Sequence, residues 1–131
     1  DPNAPTITWL KDEAEARAKA TSEGKPMLID FGAEWCKACK ELEDETFPDP
    51  NVRSEAQRFV ALRVDATDDE DKEVLRLKDK YNVVGLPTVI MLDKGGTEVA
   101  RFNEFVKPDK FYVTMKCKLP HDGKGEVVGM R

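Results

Sequence analysis

The feature that most constrains this chain is Trp35-Cys36-Lys37-Ala38-Cys39-Lys40, placed shortly after the apolar run Pro26-Met27-Leu28-Ile29-Asp30-Phe31. Here a strand pattern gives way to a helix pattern, so the two cysteines are mounted at a helix N-terminus. Unpaired backbone N–H groups and the helix dipole favour thiolate over thiol at that place. The thiolate is the attacking species in disulfide exchange. Further on, Gly85-Leu86-Pro87-Thr88 leads into a second buried-strand pattern, Val89-Ile90-Met91-Leu92. A CxxC beside a strand–helix unit reads as a redox motif, and the later Pro-Thr strand start strengthens the reading.

Length and composition narrow the classes. A chain of 131 residues, 40% hydrophobic, suits one globular domain with a real core. No apolar run approaches the ~20 residues of a membrane-spanning helix. Asp1-Pro2-Asn3-Ala4-Pro5 lacks the basic and apolar regions of a signal peptide and reads as a polar linker. The net charge of −5, with acids and bases interspersed, argues against nucleic acid as a partner. Asp68-Asp69-Glu70-Asp71 lacks the Gly and distal Glu of a calcium loop and reads as a solvated helix start. Three cysteines are too few for a disulfide scaffold. The single histidine, His121, lies in the tail, so a Cys-His or Ser-His-Asp nucleophile near the CxxC is not expected.

The order of elements follows from periodicity and punctuation. A short strand is expected over 7–10, then a helix over about 12–21 capped by Asp12 and closed by Gly24. Residues 27–31 read as a central strand buried on both faces, with Asp30 as its anomaly. A helix over 36–46 places Ala38 and Leu42 inward, with Phe47 just past its end, and Pro48-Asp49-Pro50-Asn51 breaks it. A short helix over 52–58 starts at Asp49 or Asn51, and a third strand covers 59–65. Thr67 or Asp68 is expected to cap a helix whose core side is Val74, Leu75, Leu77 and Tyr81. Strands over 88–92 and 98–102 flank the turn Asp93-Lys94-Gly95-Gly96 as a hairpin. Pro108 opens a last helix over 109–116, and the glycine-rich remainder reads as a mobile tail. Parallel βα units followed by an antiparallel hairpin predict an α/β fold, a mixed sheet with helices on both faces.

This pattern resembles the thioredoxin superfamily. More narrowly, it is similar to the C-terminal periplasmic domains of the DsbD family of bacterial thiol:disulfide interchange proteins. The resemblance rests on Gly24-Lys25-Pro26, on Asp30-Phe31-Gly32-Ala33-Glu34-Trp35-Cys36-Lys37-Ala38-Cys39-Lys40-Glu41-Leu42-Glu43, on Thr46-Phe47-Pro48-Asp49-Pro50-Asn51-Val52, and on Val84-Gly85-Leu86-Pro87-Thr88. Cytosolic thioredoxins carry Gly-Pro between the cysteines, where this chain has Lys37-Ala38. The resemblance implies a thioredoxin-like domain over 7–116, a linker over 1–6 and a flexible tail over 117–131. It implies Cys36 as the exposed nucleophile, Cys39 as the resolving thiol, and Asp30 and Glu43 as an acidic pair beneath them. It also implies a cis Pro87. Trp35, Lys37, Ala38, Leu86 and Pro87 would form the face that meets a partner's extended segment. No cofactor beyond the redox-active disulfide is implied. The implied partners are protein thiols and disulfides. A membrane domain would pass electrons to this domain, which would pass them to a periplasmic acceptor domain. The domain itself would be a monomer, tethered to the inner membrane through the full-length protein.

The residues support these roles on their own terms. Lys37 and Lys40 add to the helix dipole in favouring a thiolate at Cys36. Asp30 and Glu43 oppose it, because a nearby negative charge disfavours a second. A carboxyl beneath the pair can also take the proton of Cys39 as that thiol attacks a mixed disulfide. The competing reading is a zinc site completed by Cys117-x3-His121, which would need the last helix and tail to fold over the CxxC. A c-type haem is disfavoured because Lys40 stands where the motif requires His. Within enzymes the alternatives are a free-standing reductase or an oxidant; outside them, a metal-holding or redox-inactive binding module.

Overall fold

The computed structural model describes residues 3–120. Its strands are β1 (Trp9–Leu10), β2 (Met27–Gly32), β3 (Val60–Asp65), β4 (Thr88–Leu92) and β5 (Glu98–Phe102). They form one sheet in the order β1-β3-β2-β4-β5. β3 runs parallel to both β1 and β2, whereas β4 is antiparallel to β2 and to β5. The α/β expectation and the closing hairpin are both observed. The helices are α1 (Glu13–Glu23), α2 (Lys37–Glu41), α3 (Pro50–Ala56), α4 (Lys72–Lys80) and α5 (Pro108–Lys118). α2 continues into a wide π-helical turn, Leu42–Thr46, in which Phe47 N–H donates to Leu42 O at 2.9 Å.

β2 is the middle strand, and its side chains alternate between two cores. Met27, Ile29 and Phe31 pack with Ala16, Ala20, Leu62, Leu77, Tyr81 and Ile90 under α1 and α4. Leu28 packs with Leu42, Phe47, Val52, Met91, Phe111 and Met115 under the π-helical turn, α3 and α5. Asp30 shares the second face with Leu28 through the same alternation, which is why a carboxyl points into a packed layer.

Local differences from the sequence expectation have physical causes. α1 is capped by Asp12, which accepts from Glu15 N–H, and ends at Gly24, whose φ of +64° needs a residue without Cβ. α4 is capped by Asp71, not by Thr67 or Asp68. Thr67 is used elsewhere: its hydroxyl donates to Asp65 and accepts from Glu34 N–H. Leu75 is 49% exposed rather than core, because Val74, Leu77 and Tyr81 occupy the inward stripe. Only Trp9–Leu10 of the expected first strand pairs, and α5 runs on through Cys117, which is exposed. Ala4 is buried; its carbonyl accepts from Arg53 and that of Pro5 accepts from Gln57, so this stretch lies along α3.

Candidate active site

Cys36 is the N-cap of α2: its backbone is extended, and its Sγ accepts the Cys39 N–H at 3.1 Å. Cys36 and Cys39 are joined by a disulfide, with Cα atoms 5.2 Å apart. The loop that delivers them from β2 is anchored away from the sulfurs. Glu34 N–H donates to the Thr67 hydroxyl at 2.9 Å, and Trp35 Nε1–H donates to Thr67 O at 3.0 Å. Trp35 still leaves 62% of its surface exposed, beside the exposed Lys37 and the half-buried Ala38. The Leu86–Pro87 peptide bond is cis. Pro87 is buried, Leu86 half-buried, and Val84 just before them is 95% exposed.

The two cysteines differ in residue exposure, and not as the resemblance implies. Cys36 is 7% exposed. Cys39 is partly exposed and lines a cleft of about 640 Å³ with Lys11, Asp30, Gly32, Glu43, Arg63 and other residues. The N-cap hydrogen bond turns the Cys36 sulfur onto the first turn of its own helix. Cys39 instead packs over Gly32, where a Cβ would lie 3.6 Å from its Sγ. The exposed Cys36 that the resemblance implies is therefore corrected for the disulfide-bonded state, in which Cys36 is the more buried residue of the pair.

In the cleft that Cys39 lines, Asp30 is 5% exposed. Its carboxylate accepts from Arg63 Nε at 3.1 Å, and Arg63 Nη2 donates to Glu43 at 2.6 Å. Glu43 itself is about half exposed, at 49%. Asp30 and Glu43 thus meet through one shared cation. Burial pushes the Asp30 carboxyl up to about 6; the Arg63 charge and hydrogen bond pull it down, and the Glu43 charge pushes it further up.

Arg63 is the site residue that the sequence reading missed. The guanidinium lies over the Trp9 ring at 4.2 Å from its centroid and near Phe47 at 5.8 Å. The available signal was a cation between the buried Leu62 and Val64 of a strand. Only the parallel register Asp30↔Arg63 reveals its partner. Among the described residues no group of three or more Cys, His, Asp or Glu is placed to hold a metal ion. His121 of the zinc alternative lies outside the described residues.

Comparison with known proteins agrees with this geometry. Residues 13–116 match the model of the thioredoxin-like domain. The thiol:disulfide interchange protein DsbD of Cronobacter sakazakii is 43% identical over 83 residues, 63% of this chain and 14% of the relative. DsbD of Escherichia coli K12 is 36% identical over 106 residues, 79% of this chain and 19% of the relative. The chain therefore spans less than a fifth of the length of these curated relatives. Among solved structures, the oxidised C-terminal domain of DsbD from Neisseria meningitidis superposes with a TM-score of 0.68 at 28% identity, covering 81% of this chain and 95% of that one. The chain belongs to the thioredoxin-like domain family, is homologous to DsbD, and carries the CxxC disulfide of a thiol–disulfide oxidoreductase.

Proposed function

We infer that the domain passes electrons by dithiol–disulfide exchange to protein disulfides in a bacterial periplasm, as one part of a larger membrane-tethered protein. The observation that carries this reading is Cys36 at the N-cap of α2, its sulfur already accepting the Cys39 N–H in the disulfide it shares with Cys39. The same N–H stabilises a thiolate once the disulfide is reduced. In the donating direction, the Cys36 thiolate attacks a partner disulfide. One partner sulfur leaves as thiolate, and a Cys36–partner disulfide forms. Cys39 then attacks Cys36 Sγ, releasing the second partner thiolate and closing Cys36–Cys39. Cys39 loses its proton in that step, and Asp30, in the same cleft, is the acceptor. Glu43 shares the Arg63 cation with Asp30 and adds negative charge to the site.

The partner meets Trp35, Lys37, Ala38 and the Leu86–Pro87 turn; Trp35, next to Cys36 in the chain, offers it an exposed apolar side chain. The couple needs no cofactor beyond its own disulfide. A membrane-embedded donor domain and a periplasmic acceptor domain are the partners that kinship with DsbD favours. Among the described residues no helix is long and apolar enough to cross a membrane, so a tether is sought outside them.

Two measurements test the reading. Equilibration against a glutathione series is expected to place the couple roughly between −200 and −270 mV, the span of glutaredoxins and thioredoxin. A value near the −120 mV or so of a strong oxidant would reverse the assigned direction. Cys39→Ser is expected to trap a mixed disulfide with the partner and Cys36→Ser to trap none; the opposite pattern would exchange the two roles.

A further inference from the structure

Arg63 makes an arrangement that the exchange reaction as described does not use. Nε and Nη2 of one rigid fork serve carboxylates from two different elements, Asp30 on β2 at 3.1 Å and Glu43 in the turn after α2 at 2.6 Å. Trp9 and Phe47 border the guanidinium and touch each other edge-on at a centroid distance of 5.1 Å. A guanidinium packed against rings in this way keeps little freedom to turn. The accessibility is graded: the Asp30 side chain is 8% exposed, Arg63 28% and Glu43 49%. The ion pair therefore runs from a closed end in the cleft that Cys39 lines to an open end in solvent.

The other charged groups facing the cleft are Lys11, Glu34, Lys40, Asp65 and Glu73. Lys40 pairs with Asp44, Asp65 accepts from Thr67, and Glu73 accepts from Arg76. The Asp30 carboxylate accepts a hydrogen bond from Arg63 and forms its ion pair with the same guanidinium. Its electrostatic setting is thus one cation, divided with Glu43, against a background of burial.

We propose that Arg63 is a positioning residue for the exchange reaction: its fork holds Asp30 and Glu43 as one unit, and the share of the cation taken by Glu43 sets how readily Asp30 accepts the proton of Cys39. The proposal rests on the reading of Asp30 as proton acceptor. Without the cation, a buried carboxyl stays protonated to higher pH and is not available as a base. Without Glu43, the whole cation falls to Asp30, which then ionises at lower pH.

The test follows the two chemical steps separately. Reduced protein in which the exposed Cys117 is replaced (Cys117→Ser), in wild type and every variant alike, is mixed with one equivalent of Ellman's reagent; the first chromogenic thiol leaves on attack by Cys36, the second on attack by Cys39. The rate of the second release is measured across pH. Arg63→Met, which keeps the stem against Trp9, is expected to move its midpoint up by roughly one pH unit or more. Glu43→Gln is expected to move it down. Arg63→Lys is expected to fall between wild type and Arg63→Met, because a point charge cannot serve both carboxylates at once. A lower melting temperature in Arg63→Met with an unmoved midpoint means a structural role alone and overturns the proposal. If Arg63→Met does not fold, Glu43→Gln at a half-exposed position still decides: an unchanged or raised midpoint overturns it. Asp30→Asn run alongside separates the two ideas. If it leaves the second release unchanged, the proton-acceptor reading fails and takes the proposal with it. If it slows that release while the Arg63 and Glu43 variants leave the midpoint in place, the proposal alone fails.

Discussion

Two buried acids in this domain have opposite fates. Glu13, at the start of α1, is 4% exposed, and Asp30 is 5% exposed. Glu13 accepts from Lys80 at 2.7 Å and from the Tyr81 hydroxyl at 2.6 Å, with Arg17 and Arg76 each at 3.5 Å. Burial raises its carboxyl, but the hydrogen bonds of Lys80 and Tyr81 and the charges of Lys80 and Arg17 outweigh it, bringing it down to about 2. Asp30 has one cation and must divide it, so burial wins and its carboxyl rises to about 6. Similar surface exposure gives opposite outcomes for two reasons: Asp30 lies deeper among protein atoms and is more strongly desolvated, and it has fewer cations to offset that than Glu13 has. A surplus of cations makes a fixed anion that ties α1 to α4. A shortage leaves a carboxyl able to change state near neutral pH, in the cleft that Cys39 lines. Perturbed acids of the second kind cluster at functional sites.

Substitutions that exchange these environments test the contrast. The largest effect on stability is expected at the fixed anion. Glu13→Gln leaves three cations without their common partner, and urea denaturation at pH 7 should show a loss of about 2–3 kcal/mol. That figure is discounted because Arg17, Arg76 and Lys80 are 37%, 54% and 41% exposed. The opposite sign is expected at the other acid: Asp30→Asn removes a poorly solvated charge and should stabilise the oxidised protein at pH 7 by roughly 1–3 kcal/mol. Equal destabilisation by the two variants would erase the contrast.

The two acids also predict opposite pH dependences. Glu13 ionises near 4.5 ordinarily and near 2 in the fold, so its contribution is complete above 4.5 and is lost as pH falls toward 2. Asp30 ionises near 3.8 ordinarily and near 6 in the fold. Between those values the folded chain holds a proton that the unfolded chain has released. Raising the pH through that window therefore removes stability, in total on the order of 3 kcal/mol. Urea midpoints from pH 3.5 to 7 should show this decline in wild type and not in Asp30→Asn. A parallel decline in both proteins would assign it to other groups.

A smaller effect sharpens the difference between the sulfurs. Exposure favours Cys39, which opens onto the cleft, whereas the N-cap favours thiolate at Cys36. Reactivity follows the thiolate. Brief alkylation of the reduced protein at neutral pH, followed by peptide mapping, should label Cys36 several-fold ahead of Cys39. Faster labelling of Cys39 would mean that access decides.

The parts of this molecule that were legible in the sequence are those set by local chemistry. Trp35-Cys36-Lys37-Ala38-Cys39 after an apolar strand placed the disulfide at a helix start, and Gly24, Pro108 and the Asp93–Gly96 turn punctuated the elements where the structure has them. The parts that were not legible depend on partners far along the chain. Thr67 and a run of acids all offered caps; in the fold Thr67 is engaged with Glu34 and Asp65, Asp68 accepts from Glu70 N–H within its own turn, and Asp71 accepts from Val74 N–H as the cap of α4. Leu75 and Tyr81 differ by their angular position on that helix, which depends on where it starts. Arg63 could be seen as an oddity in a strand, but its meaning lies in the register with Asp30 and in the approach of Trp9 and Glu43, all distant in sequence. The wide turn after α2, which brings Thr46 against Val106 O at 2.5 Å, has no clear signature in its composition.

The central claim is that a buried, ionisable Asp30 controls the dithiol above it. Thiolate absorbance of the reduced protein, followed against pH in wild type and in Asp30→Asn, tests it most directly. The acid and the thiols should titrate as a coupled set. Removing the charge of Asp30 removes a cost of forming the thiolate, so the apparent pKa of Cys36 is expected to fall in the variant. An unchanged titration curve would contradict the account, because it would mean that the charge of Asp30 is not felt at the sulfurs.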